Sequence, residues 1–389
     1  MNNEISNFTL IKNTKKEGWD MKKLKKSKLL KISILWLILI VGCEPLVDRF
    51  DDVEDGMMYV SKQFTDSPQQ IKHIKVMTWN IRFGAGRLPW FGDSCGERVI
   101  LTDDEVMTHL KGIAAKINEV KPDILLLQEV DVNSKRSGYL DQVQWLLDHT
   151  YFNYGTYASA WKAQVIPSDG LGRMDMGNAI LSSWKITDAE RIQLPLRGDQ
   201  DALTQYFYLR RNILKAKIEV PDVDNFYAVN IHASAFSTDD TKKKHIDIFK
   251  YELDKLNDAG YYFVAGGDLN TLPPGAAKTD YCIENKCPGE SFHNAGDDPF
   301  HKDGNSFTHE VTWLINLYDD YQEAVPLQNY LANEIQYFTN TPIWDGFWQK
   351  KLDYLFSNNT WVTESAITHQ EATELSDHTP ISVVWEVPQ

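Results

Sequence analysis

Nine polar side chains from a narrow chemical set stand at or just beyond the ends of apolar, strand-like runs. Asn80 follows residues 74–79 (IKVMTW) and Glu129 follows residues 124–128 (ILLLQ). Asn178 opens one further run and His232 closes another. Asp268 and Asn270 come directly after FVAGG, Asp353 lies inside LDYLF, and Asp377-His378 precede the last apolar run. The set is four carboxylates, three carboxamides and two histidines. Carboxylate and carbonyl oxygens suit a hard divalent cation such as Mg²⁺ or Mn²⁺ and not zinc. An aspartate beside a histidine suits proton transfer, because the carboxylate orients the imidazole and raises its basicity. Taken singly, each residue has a plainer reading: Asn80 as a turn residue, Asp268 with Asn270 as an Asx-turn, Glu129 as an exposed strand end, His378 as a cap. Nine such positions of matching chemistry point instead to one site.

Such a site needs elements to carry it. Residues 74–79 alternate and are rich in β-formers, which predicts a strand. Thr102 with Glu105 three residues on forms a capping-box pattern, and Val106, Leu110, Ile113, Ile117 and Val120 recur at helical spacing. Pro122 ends that helix, and residues 124–127 form a continuous apolar run typical of a buried strand. The same order returns later: a strand at 226–231, a helix from about Thr238 with Ile246, Phe249, Leu253 and Leu256 on one face, and a strand at 261–265. Further strand-like stretches lie at 178–182, 206–218, 352–356 and 381–387. Strands alternating with helices predict an α/β layered fold, and this many strands predict two packed sheets. In such folds, polar residues beyond buried strand ends gather at one rim, where ligands bind. The Gly266-Gly267 pair is read as a tight turn into that rim. There is no Gly-rich phosphate loop, no G-x-S-x-G elbow and no H-E-x-x-H pair.

The ordered series TWNIR (78–82), LQEVD (127–131), GNAILSS (177–183), NIHAS (230–234), GGDLNT (266–271), LDYLF (352–356) and SDHTP (376–380) resembles the endonuclease/exonuclease/phosphatase superfamily over residues 74–387. The resemblance implies a four-layer α-β-β-α sandwich with two central mixed sheets, and Mg²⁺- or Mn²⁺-dependent hydrolysis of a phosphate ester. It implies Glu129 as principal metal carboxylate, with Asn80 and Asp377 in or beside the metal shell. Asp268 would orient and deprotonate the attacking water, and Asn270 would hold a phosphate oxygen. His378, paired with Asp353, would act as general base or electrostatic stabiliser, and His232 would donate to the phosphate or leaving group. Arg82 and Arg173 are weaker candidates for gripping phosphate. The other histidines are read as structural.

The ends of the chain carry a different message. Met21 opens a lysine-rich stretch followed by an apolar run at 32–41 that is too short to span a bilayer, and Gly42-Cys43 closes it. This resembles the lipobox of bacterial lipoproteins. It predicts a signal peptide over 1–42, a lipidated Cys43, an acidic tether over 43–70 and the enzyme domain over 71–389. The protein would be exported and held by its lipid at a membrane, as a monomer. Composition is ordinary for a globular chain, 42% hydrophobic and 24% charged. Without residues 1–42 there remain 31 basic and 52 acidic side chains, net −21, which does not favour general attraction to nucleic acid. Cys282 and Cys287 are expected to pair in an oxidising compartment, with Cys95 left as a buried thiol. Substrates in play are nucleic acid, a phospholipid or inositol-phosphate head group, or a small phosphoester. The aromatic segments 90–91 and 343–348 would stack bases, meet lipid or pack locally. The rival function is a catalytically silent surface binding protein on the same fold.

Overall fold

The computed structural model describes residues 46–388 apart from 93–95, 236, 238, 280, 282–306 and 343–344. Cys43 and the other three cysteines lie outside the described residues, as do the signal segment and Ile343. Helix α1 (Asp103–Val120) starts where the capping box predicts: Thr102 Oγ1 accepts from the Glu105 amide, and the Glu105 carboxylate accepts from the Thr102 amide. It buries Val106, Leu110, Ile113, Ile117 and Val120, each worth about 1.5–3 kcal/mol of apolar burial. Thr102→Ala is expected to cost about 1 kcal/mol, read as a lowered urea midpoint with an unchanged slope.

One seven-stranded sheet runs in the order β13 (Ile367–Thr368), β14 (Ile381–Glu386), β3 (His73–Asn80), β4 (Ile124–Asp131), β6 (Gly172–Ser182), β5 (Tyr154–Ile166), β2 (Met57–Val60). The other runs β1 (Val53–Asp55), β7 (Ile186–Gln193), β8 (Asn212–Ile218), β9 (Phe226–His232), β10 (Tyr262–Asp268), β12 (Asp353–Ser357), β11 (Gln322–Glu323). Near the middle of each sheet is one parallel pair, β3/β4 and β9/β10. Each pair is joined by an 18-residue helix, α1 in the first case and α4 (Thr241–Asp258) in the second. The doubled strand–helix–strand unit of the sequence is thus real. The layers are those expected: an apolar core between the sheets around Ile74, Leu126, Phe226 and Trp385, and an outer core on each side. Helix α1 and α2 (Gln142–His149) cover one sheet, while α4 and α5 (Ile315–Asp320) cover the other.

Several expectations shift. The stretch 206–218 is not one strand: α3 (Ala202–Phe207) ends there and β8 begins only at Asn212. Helix α4 starts at Thr241, three residues after Thr238. Residues read as tether are built into the body instead. Strands β1 and β2 form outer edges of the two sheets, and Gly56 crosses between them where a Cβ would stand 2.7 Å from Thr156 Oγ1 and 2.9 Å from Ala189 Cβ. Composition hid this, because an edge strand needs only alternate side chains inside. Strands β5 and β7 were not anticipated.

Candidate active site

The ends of β3, β4, β9, β10 and β12 and the segment before β14 meet at one rim of the sandwich. Eight of the nine sequence-selected polar residues converge there. Asn178 does not: its amide donates to Asn212 in a buried link between the sheets, at 3.1 Å to the carbonyl. Asn230 and Gln128 reinforce that link, with Asn230 donating to Leu127 and Ala179 carbonyls and Gln128 donating to Asn230 at 2.7 Å. These contacts hold the two catalytic strand ends in fixed register below the site.

Local backbone conformation aims the key side chains. A register shift in β4 between Leu127 and Val130 puts Glu129 in the left-handed region at φ 55°, and Asn270 (φ 50°) and Arg82 (φ 45°) share it. For non-glycine residues this costs of order 1–3 kcal/mol each, a strain typical of functional sites. Gly266 and Gly267 do not form the turn expected of them. They lie inside β10, where a Cβ on either would stand 2.0 Å from a carbonyl oxygen of the neighbouring strand.

Two groupings emerge. In the first, Asn80 Nδ2 lies 3.0 Å from Glu129 Oε1 and 3.2 Å from Asp268 Oδ2. Asn80 Oδ1 accepts from the Arg82 amide at 3.0 Å; turned over, and giving up that bond, it would join the Glu129 and Asp268 carboxylates as an all-oxygen set that fits a hard cation. Asp377 lines the same cavity, with Oδ2 3.4 Å from Arg82 Nε and Oδ1 accepting from Ser376 Oγ at 3.2 Å. The second grouping is Asp353–His378–Asp268. His378 Nδ1 meets Asp353 Oδ2 at 2.8 Å, and its Nε2 lies 3.6 Å from Asp268 Oδ2. Ligand-type atoms of these three residues fall within 4.8 Å of one another. Because Asp353 and His378 already satisfy each other, the trio reads better as a proton-handling group than as a metal nest.

Electrostatics separate the roles. Burial alone would depress the His378 pKa, but the Asp353 and Asp268 carboxylates outweigh it and raise it to about 10. The imidazolium is therefore the neutral-pH form. Asp353 Oδ1, buried without a hydrogen-bond partner, adds to the negative surroundings of the ring. Burial and the neighbouring Asp353 charge push Asp268 up to about 7, against the pull of His378. His232 goes the other way: burial first, then Arg211 and His378, hold it well below the usual histidine range. Its Nε2 lies 3.3 Å from Asp268 Oδ2 and 3.9 Å from Glu129 Oε1. Asn270 gives one N–H to the Ala233 carbonyl at 3.2 Å, leaving its second for a ligand.

Glu129, His232, Asp268, Asn270, Asp377 and His378 line a cavity of about 340 Å³, with Asn80 and Asp353 buried against them. Sequence reasoning missed Asn340, whose amide lies 3.0 Å from His378 Nε2. It also missed Lys351, fully buried, which donates to the Asp353 carbonyl at 2.8 Å and pairs with buried Glu323 at 3.3 Å. Asn340 carries no local signal, and Lys351 is one lysine beside another. Arg82 is buried in the site, whereas Arg173 bonds Gln164 outside it. Trp90 and Phe91 do overhang the cavity. Trp348 packs under Arg87 at 4.3 Å and is buried.

Comparison with known proteins agrees with this architecture. No curated protein matches the chain by sequence. Its fold is similar to the endonuclease/exonuclease/phosphatase from Beutenbergia cavernae DSM 12333, at 17% identity over 82% of this chain and 72% of that one, TM-score 0.50. Truncated TDP2 from Caenorhabditis elegans is 16% identical over 81% of this chain and 98% of that one, TM-score 0.45. The human Nocturnin catalytic domain with bound sulfate is 17% identical over 82% and 97%, TM-score 0.45. Residues 77–378, from β3 to His378, match the sequence pattern of one family, and the chain belongs to that endonuclease/exonuclease/phosphatase family.

Proposed function

We propose that this protein hydrolyses a phosphate ester with the help of a divalent cation, Mg²⁺ or Mn²⁺. The observation that carries the reading is the meeting, at one rim, of clustered oxygen donors, a buried carboxyl at Asp268 and a histidine held at 2.8 Å by a buried aspartate. Asn80 and Glu129 would hold the cation, with Asp377 beside them. When bound, the cation supplies positive charge to offset that of the phosphoryl oxygens. Asp268 orients the attacking water and takes its proton, burial raising the basicity of its carboxylate. His378, charged and fixed by Asp353, stabilises the negative charge that builds on the phosphoryl group. Asn270 donates to a phosphate oxygen, and neutral His232 donates from Nε2 toward the phosphate or the leaving oxygen.

The test is turnover of bis-p-nitrophenyl phosphate with and without EDTA. Activity should vanish with EDTA and return with Mg²⁺ or Mn²⁺. Reactivation by zinc alone would contradict the oxygen-donor argument. Cation binding without turnover of any phosphoester would favour the silent binding protein instead.

The lysine-rich stretch, short apolar run and Cys43 support export and lipid attachment at that cysteine. Among the described residues no helix is long and apolar enough to cross a membrane. Cys43→Ser should leave an unprocessed precursor that takes up no palmitate label. Normal maturation and labelling of that variant would remove the lipoprotein reading.

A further inference from the structure

The chain is fastened to the body almost from its first described residue. Gln164 N donates to the Leu46 carbonyl at 2.9 Å and Asp48 N to the Lys162 carbonyl at 3.0 Å, either side of a Val47–Ala163 bridge. Val47 is buried in a small apolar cluster with Ala163, Ile166 and Met176. That cluster is thinly covered. Half-buried Phe91, Trp161, Tyr206 and Phe207 pack on it, while Leu46, Val165 and Leu203 around it are 55%, 49% and 69% exposed. Leu203 stands three and four residues before Tyr206 and Phe207 in α3, so the three share one helix face. A concentration of exposed apolar side chains marks an interaction surface.

We propose that this face rests on a lipid bilayer, and that the catalytic cavity beside it takes its phosphate ester from a zwitterionic phospholipid head group. The inference rests on the phosphoesterase and lipid-anchor readings above. Reach is the first argument. Three residue steps from Cys43 to Leu46 extend at most about 11 Å, so a lipid on Cys43 leaves Leu46 and its surroundings at the membrane. Continuity is the second: Phe91, Trp161, Leu209 and Met176 belong both to this cluster and to the cavity lining. Tryptophan and tyrosine, each with an apolar body and a polar tip, suit head-group depth. Charge is the third. Without residues 1–42 the chain carries a net charge of −21; of the cations near the face, Lys162 is paired with Asp48 at 3.1 Å, while Arg49 beside Val47 is exposed. A neutral apolar surface fits this face better than a polyanion does.

The test uses the full chain, wild type and L46S/V165S/L203S, in vesicles of phosphatidylethanolamine and phosphatidylcholine. These three side chains lie outside the cavity lining. Tryptophan fluorescence should be quenched by lipids brominated on their acyl chains in the wild type and far less in the variant. Hydrolysis of vesicle phospholipid should fall about tenfold in the variant, with turnover of bis-p-nitrophenyl phosphate unchanged. Equal quenching and equal vesicle hydrolysis in both proteins would overturn the proposal. So would faster cleavage of plasmid DNA than of phospholipid, or a dimer in detergent that the substitutions dissociate. If the wild type turned over neither substrate while quenching persisted, the phosphoesterase reading and the head-group substrate would fall and the docked face would stand.

Discussion

Glu129→Gln is expected to lower phosphoester hydrolysis by about 10²–10³-fold, the scale of losing a group that manages transition-state charge, while the fold survives. Glutamine keeps the length of the side chain and can still accept from Asn80 Nδ2, so the 3.0 Å contact has a replacement. What disappears is the negative charge, and with it much of the attraction for a hard cation. Two measurements separate these effects: Mn²⁺ binding by titration calorimetry should weaken, and the thermal transition should stay near that of the wild type. Full activity with unchanged Mn²⁺ affinity would take Glu129 out of the metal site. A collapse of stability instead would make it a structural residue of the β4 bulge.

The Asp353–His378 pair gives the second large effect. Asp353→Asn and His378→Ala should each lower kcat by about 10²-fold or more, the usual scale for a positioned acid–base group. Both changes remove the same species: the first strips away the carboxylate that keeps the ring charged, and the second removes the ring. The double variant should therefore be little worse than the poorer single one, since residues acting as a unit are not additive. Asp353→Asn should also bring the His378 pKa down from its raised value, because burial then acts with less opposition. The imidazole titration followed by NMR reads that shift directly. Full additivity with an unmoved titration would mean that the 2.8 Å contact has no catalytic role.

Much of this architecture is written locally in the chain. The apolar period of residues 106–120 and its capping box specify α1 because both act within a few residues of each other. Continuous apolar runs mark β4 and β10, since strands buried on both faces need no alternation. The identity of the site residues was legible for a related reason: each one stands at or near one end of such a run. Edge strands were not legible. Strand β2 has one inward residue, Tyr59, among exposed ones, which reads as a polar connector until its partner β5 is known.

By itself the sequence determined the fold class through short-range apolar periodicity and, through its ordered motifs, the family; of the nine residues it assigned to one site, eight meet there. Tertiary structure alone decided how those residues divide their work. Asn178 is of the same residue type as Asn80, yet it lies inside β6 and not at a strand end, where sheet packing makes it a buried tie to Asn212. Two histidines of identical intrinsic basicity, both near Asp268, are driven apart: the Asp353 and Asp268 carboxylates outweigh burial at His378 and raise its pKa, while burial, then Arg211 and His378, hold that of His232 well below the usual range. Asn340 and Lys351 enter only through contacts that the fold creates. Protonation and positioning depend on what lies within a few ångströms in space, and residues 80, 129, 232, 268, 353 and 378 become neighbours only once two sheets have packed face to face.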